Sequence, residues 1–329
     1  MSPLLAAGVA FGVTTLALPV VIVLLRRAAV LDVPGARSSH VVTTVRGGGA
    51  ALVVGMLAGF ATAPAVGPVV AVATFGLLGL ADDLRGLPVG RRFVAQLVLG
   101  AVVAALVLTP LAPSWSVLVA GIGVIAVWTC AFVNAFNFMD GINGISGMHG
   151  VLAGAAFALL GLWAAATTLV LGGLVLAAVS LAFLPFNAVR ARCFLGDVGS
   201  YALGAVLAVL VVVAVLAGVP VETAVAPVAL YLADTGWTLV RRVRAGEDWR
   251  QAHRSHVYQR LCDVGGTHPR VALATAGVSA AVVAASALSL TGRPELRLLG
   301  VVVGAVVLVA YLASPARLAV RAPIRSGVA

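Results

Sequence analysis

The stretch Ser200–Gly218, SYALGAVLAVLVVVAVLAG, runs nineteen residues without a charged side chain. At 1.5 Å per residue, a helix of that length crosses the roughly 30 Å hydrocarbon core of a bilayer. Outward from it, apolar blocks of similar length recur along the whole chain. They predict spans at about 3–25, 47–65, 67–82, 93–110, 115–136, 147–164, 166–186, 200–218, 221–240, 270–291 and 296–314. Composition agrees: the 329 residues are 62% hydrophobic and only 10% charged, with mean hydropathy +1.13. A soluble domain carries roughly 25% charged residues. Soluble, disordered and collagen-like classes are therefore excluded. Three cysteines without a pairing pattern exclude a disulfide scaffold. The expectation is an all-α polytopic integral membrane protein of about eleven transmembrane helices. Its first span lacks a basic leader and a small-residue cleavage site, so it reads as retained.

Charge sets the orientation. The net charge is +10, yet there is no lysine, and all 21 basic residues are arginine. They lie between apolar blocks, where the positive-inside rule places them, and do not form a nucleic-acid footprint. The gaps after spans 1, 3, 7 and 9, with the C-terminal tail, hold 19 arginines; only Arg293 and Arg297 fall on the other side. The N-terminus is therefore expected outside and the C-terminus in the cytoplasm. Nine of the 11 acidic residues, and all 5 histidines, fall at or near the cytoplasmic face. No internal repeat or soluble domain is visible. The chain reads as one transmembrane domain over 1–329, with cytoplasmic loops at about 26–46, 83–92, 137–146, 187–199 and 241–269.

Five segments on that face carry polar chemistry. Asp82-Asp83 ends the third span; adjacent carboxylates at a membrane boundary need a cation or a proton. They can supply a Mg2+ site for phosphate substrates, or be a solvated helix end beside Arg85, Arg91 and Arg92. Asn134, Asn137 and Asp140 recur every third residue, share a helix face, and precede Gly141, Asn143 and Gly144. That face suits a polar ligand such as a sugar nucleotide, or hydrogen bonds between helices. Asp197, in Phe194-Leu-Gly-Asp-Val-Gly-Ser200, is either a helix N-cap or a carboxylate that holds a cation against a phosphate. His253, His256 and Arg260 fall on one helical face; with Arg254 they can grip a diphosphate or form a basic lipid-binding patch. A zinc reading uses His253, His256, Cys262 and His268, whose spacing fits no common pattern. The first loop carries His40 and Arg46 and ends in Gly47-Gly48-Gly49. One topology brings all five segments to the same face.

Together these segments resemble the polyprenyl-phosphate N-acetylhexosamine-1-phosphate transferase family (glycosyltransferase family 4), over about residues 30–265. Asp82-Asp83 resembles the family's Asp pair. Asn134, Asn137, Asp140 and Gly141 match its N-x-x-N-x-x-D-G motif, and Phe194–Ser200 its F-x-G-D-x-G-S motif. His253-Arg254-Ser255-His256 matches the H-R-x-H form of the GlcNAc-type branch. Asn143 stands where several branches have Asp, so an acid role there is lost.

The resemblance implies that Asp197 is the main Mg2+ ligand (or binds Mn2+ in its place), with Asp82 and Asp83 nearby. It implies Asp82 as the base that deprotonates the lipid phosphate, and Phe194 as the ring that stacks on uracil. Asn187, Asn137, Asp140 and Asn143 would contact the nucleotide sugar or order the site. His253, Arg254 and His256 would handle diphosphate or sugar. The implied partners are UDP-HexNAc, polyprenyl phosphate and membrane lipid, with no nucleic acid; dimers are common in the family. The implied reaction gives polyprenyl-diphosphate-HexNAc and UMP at the cytoplasmic membrane of a bacterium. A transporter or flippase without catalysis is the alternative, and Asp234, about two thirds along the ninth span, is the one residue placed for it.

Overall fold

The computed structural model describes residues 2–35, 42–63, 65–248 and 253–321. The helices are α1 (Pro3–Arg27), α2 (Gly49–Phe60), α3 (Val66–Arg85), α4 (Val89–Leu108), α5 (Trp115–Met139), α6 (Ile145–Trp163) and α7 (Thr167–Asn187). They continue with α8 (Gly196–Leu216), α9 (Val221–Val225), α10 (Ala229–Arg244), α11 (Val257–Asp263), α12 (His268–Ser286) and α13 (Pro294–Arg321). The chain is thus an all-α, multi-pass membrane protein. In lipid every backbone N–H and C=O must find a partner within the chain, and an uninterrupted helix provides one.

Among the described residues, nine helices are long and apolar enough to span. Two of the eleven expected spans differ. The second is the 12-residue α2, which at 1.5 Å per residue reaches only about 18 Å. The ninth is broken: α9 passes into a 3-10 turn at Ala226–Val228, around Pro227, before α10 resumes. Proline lacks the N–H that would continue the ladder, so the apolar run of the sequence does not become one helix.

α8 is the axis of the bundle. It is buried almost continuously from Asp197 to Val211, with α3 and α5 against it and α2, α6 and α7 also touching it. The peripheral helices face outward with apolar side chains at helical spacing, such as Val94, Val98 and Val102 on α4 and Val302, Val306 and Val309 on α13. That exposed apolar belt is what lipid would cover. Small residues let the backbones meet. A side chain at Gly79 of α3 would run into the Asp197 carbonyl, and one at Gly49 of α2 would strike the backbone of Gly199. α2, α3 and the first turn of α8 are thereby locked together.

At the same end of the bundle the loops form a small sheet, which the all-α expectation lacks. Its order is β1 (Leu31–Asp32), β2 (Thr44–Arg46), β3 (Cys193–Phe194). β1 and β2 pair antiparallel, β2 and β3 parallel, and Arg46 sits opposite Phe194. The ladder continues as Gly48 N–H to the Phe194 carbonyl and Gly49 N–H to the Leu195 carbonyl, both 2.8 Å. Strands this short carry no periodic signal. They form because two loops emerging side by side satisfy each other's backbone groups.

Gly79→Ala should push α3 off α8 and lower stability by about 1–3 kcal/mol. Gly123→Ala, in open space on α5, should not. Thermal unfolding in detergent measures the difference.

Candidate active site

The site is built around the start of α8. Asp83, at the end of α3, accepts hydrogen bonds from the backbone N–H of Asp197 (3.0 Å) and Val198 (2.9 Å). Those are two of the donors that every helix N-terminus leaves unpaired. Gly196 makes the approach feasible: its φ is +74°, and a side chain there would strike the Asp83 carboxylate and Gly47. Arg46, delivered by β2, then bridges both acids. Its Nε donates to Asp83 and its Nη2 to Asp197, each at 2.7 Å. Burial opposes the charge on Arg46, but Asp197 and Asp83 more than offset it and raise the guanidinium pKa. Asn137, from the last turn of α5, donates to the other Asp197 oxygen (2.7 Å) and to Ser200 Oγ (2.9 Å). Asp197 is thus held from two sides at the edge of a cleft.

That cleft has a volume of about 310 Å3 and a polar lining. Arg46, Asn137 and Asp197 form one wall; Asp140, Asn143, Asn187 and Phe194 continue it. Asn187, at the C-terminus of α7, accepts from the Gly144 N–H (2.7 Å) and donates to the Cys193 carbonyl (3.1 Å). Both ends of its amide are used to fix the loops, so Asn187 orders the cleft. Asp140 accepts from Ser146 Oγ (2.6 Å). Burial pushes its carboxyl up to about 7; the Ser146 bond opposes this, the charges of Asp197 and Asp83 add to it, and Arg46 opposes it.

The expected residues do not all converge. Asp82 turns away from Asp83 into the bundle, its side chain 4% exposed. It accepts from the Leu87 N–H (2.8 Å), Tyr201 Oη (2.6 Å) and Arg92 Nη1 (3.2 Å). It joins α3, α4 and α8 and is absent from the cleft lining. Asn134 points at α4, donating to Gln96 Oε1 (2.5 Å) and to the Cys130 carbonyl (2.8 Å). It follows the inter-helix reading of that motif. His256 is buried, with Nδ1 3.1 Å from Asp234. His253 meets Ser255 Oγ at 3.1 Å and stands 5.0 Å, ring to ring, from His256. Arg254 pairs with Asp263 at 2.9 Å. None of these three lines the cleft, and neither does Arg260, half-buried on α11. Among the described residues no cluster of histidine, cysteine and acid gathers to hold zinc. His40 lies outside the described residues.

Two cleft residues, Asp32 and Gln259, escape the sequence reading, and a third, His268, enters it only as a zinc ligand. Asp32 arrives on β1, whose pairing has no sequence signature. Gln259 sits three residues past the His motif, and His268 opens α12. Their signal was proximity to polar motifs in the same two gaps, which is weak.

Comparison with known proteins follows the same geometry. A sequence profile described as glycosyl transferase family 4 matches residues 65–215. The decaprenyl-phosphate N-acetylglucosaminephosphotransferase of Mycobacterium leprae is 31% identical over 315 aligned residues, covering 79% of this chain and 77% of that protein. The chain belongs to glycosyl transferase family 4. The family's probable undecaprenyl-phosphate N-acetylglucosaminyl 1-phosphate transferase of Bacillus subtilis is 25% identical over 284 residues, covering 79% and 78% of the two chains. A phospho-N-acetylmuramoyl-pentapeptide-transferase of Staphylococcus saprophyticus is 28% identical over 155 residues, with 41% and 48% covered. The resemblance carried by the motifs is therefore a family membership. The matched profile ends before α10–α12 and starts after β2, so the glycosyl transferase family 4 segment alone omits Arg46, Gln259 and His268, which the fold returns to the cleft.

Asp140 yields a pH prediction. An ordinary Asp loses its proton near 3.9 and the native carboxyl holds it to about 7. Between those values unfolding releases a proton, so stability falls as pH rises and levels off above about 7. Asp140→Asn should flatten that slope in thermal unfolding of the detergent-solubilised protein over about pH 4.5–8.

Proposed function

We propose that this protein transfers a HexNAc-1-phosphate from UDP-HexNAc to a polyprenyl phosphate, releasing UMP, at the cytoplasmic face of a bacterial inner membrane. The observation that carries the reading is the Arg46–Asp197–Asn137 constellation. It is an ion-paired, hydrogen-bonding edge on a polar cleft, set at the Arg-rich end of a membrane bundle. The acceptor accounts for that setting: its tail belongs in lipid, while its headgroup must meet a water-soluble nucleotide sugar. The relatives' names, with their polyprenyl acceptors, support the same reaction.

A phosphate oxygen of the lipid attacks the sugar-proximal phosphorus. The bond from that phosphorus to the bridging oxygen breaks, and the electron pair leaves on UMP. A phosphate monoester loses its second proton near pH 6, so at neutral pH the acceptor is already mostly dianionic. No base is required, which agrees with Asp82 being sealed among Tyr201, Arg92 and the Leu87 N–H.

Arg46 is placed to share its guanidinium with the diphosphate. Asn137 holds Asp197 in one orientation, and Phe194 offers a face for the uracil. Asp197 would hold Mg2+, with Asp83 beside it. The donor set fits, since this hard cation takes one or two carboxylates and leaves its other positions to water and substrate phosphates. When bound it would offset the negative charge that develops on the phosphate oxygens. The neutral Asn143 can donate to a sugar hydroxyl or carbonyl, which a carboxylate there could not.

The test is UMP release by purified protein in detergent, with undecaprenyl phosphate, Mg2+ and a panel of UDP-HexNAc donors. Lipid-dependent release should appear with at least one donor and vanish in Asp197→Asn. No release with any donor, and no lipid-linked product, would overturn the reading. The paired amides separate chemistry from packing. Asn137→Ala should lose at least about 100-fold in turnover, the scale seen when one positioned polar group leaves an active site. Asn134→Ala should cost about 1 kcal/mol in stability and leave turnover within about twofold.

A further inference from the structure

A carboxylate outside every motif reads as the anchor of one cleft wall. Asp234 lies on α10, is fully buried, and collects donors from two other parts of the chain. Its Oδ1 receives the Val257 N–H (3.0 Å) and faces His256 Nδ1 (3.1 Å); its Oδ2 receives the Tyr258 N–H (3.3 Å) and Tyr311 Oη (2.8 Å). Thr238, one turn along α10, adds a bond at 3.3 Å. Taking a carboxylate out of water is costly unless donors surround it, and these do. A transporter would keep such a group open to its cargo.

The anchored segment continues to the cleft. Tyr258 Oη donates to the Phe138 carbonyl at the end of α5 (2.9 Å) and lies under Gly141, where a side chain would collide with it. Gln259 Oε1 accepts the His256 N–H (3.2 Å), while its amide nitrogen lies against Gly141 on the cleft wall. Asp234, α11, Gln259 and Gly141 thus form one chain of contacts that ends where Asp140 and Asn143 line the same wall.

We propose that Asp234 is a positioning residue that seats α11 so that Gln259 closes the nucleotide-sugar side of the cleft. The proposal rests on the transferase reading. It assigns Asp234 no contact with substrate: its effect on the donor runs through Gln259. Loss of the anchor therefore weakens donor binding, while Arg46 and Asp197, which meet the reacting phosphates, lie outside the anchored chain of contacts and keep the lipid acceptor unaffected.

The experiment is steady-state kinetics of purified wild type, Asp234→Asn, Gln259→Ala and the double variant, varying UDP-HexNAc and undecaprenyl phosphate separately. Wild-type turnover is the control for the transferase reading itself, so failure there is distinct from failure of the anchor. Asp234→Asn should raise KM for the nucleotide sugar by about tenfold, with KM for the lipid and kcat within about twofold, the signature of lost ground-state binding. The double variant should be no worse than the more affected single, because both act on one contact. Equal changes in both KM values, additive losses, or no change in a folded Asp234→Asn would overturn the proposal. If Asp234→Asn does not fold, Tyr258→Phe carries the test. It removes only the hydroxyl bound to Phe138, and a selective rise in donor KM of about threefold is expected. An unchanged donor KM in Tyr258→Phe overturns the proposal.

Discussion

The Asp83 carboxylate on the second and third backbone N–H groups of α8 is the contact on which the rest depends. A helix that starts in the membrane interface leaves its N-terminal donors exposed, and they must be paired. Here the partner comes from a different helix, so capping α8 also fixes α3 against it. The glycines on both sides make that distance feasible, and Arg46 neutralises the excess negative charge. Cap, packing and charge balance are one arrangement. A change in any of the three moves Asp197, which lies one residue inside the helix.

The pair Asp82-Asp83 shows how neighbours in sequence face different surroundings in space. Consecutive residues on a helix point about 100° apart. Asp83 therefore meets α8 and the loops, while Asp82 meets Tyr201, Arg92 and the α3–α4 turn. Both are held by donors, but only the Asp83 side adjoins the Arg46–Asp197 contact. The same rule separates Asn134 from Asn137. They lie three residues apart and 300° around the helix, and the remaining 60° directs one to Gln96 and the other to Asp197.

The late part of the chain serves the site through buried intermediates. α10–α12 bring Gln259 and His268 to the cleft, yet the histidine motif itself packs beneath it: His256 on Asp234, His253 on Phe138. The break at Pro227 shortens the ninth apolar segment into α10 and places Asp234 within reach of α11 and Tyr311.

The class of fold was legible in composition, because 62% hydrophobic residues in blocks of about twenty admit few alternatives to membrane helices. The family was legible in motif order, and Asp83, Asn137, Asp140, Asn187, Phe194 and Asp197 did reach one end of the bundle. Hydropathy fixes which segments can enter lipid, and that term is additive along the chain. Tertiary structure alone decided that the ninth segment breaks, that two loops pair as strands, and that Asp82 and Asn134 turn away. It also decided that Asp32, Gln259 and His268 line the cleft. Those outcomes depend on side-chain direction, on backbone pairing between segments, and on contacts between residues as much as 151 positions apart, as in Arg46 and Asp197. Such pairings leave no periodic trace in the sequence, because each is specified by the partner that packing supplies.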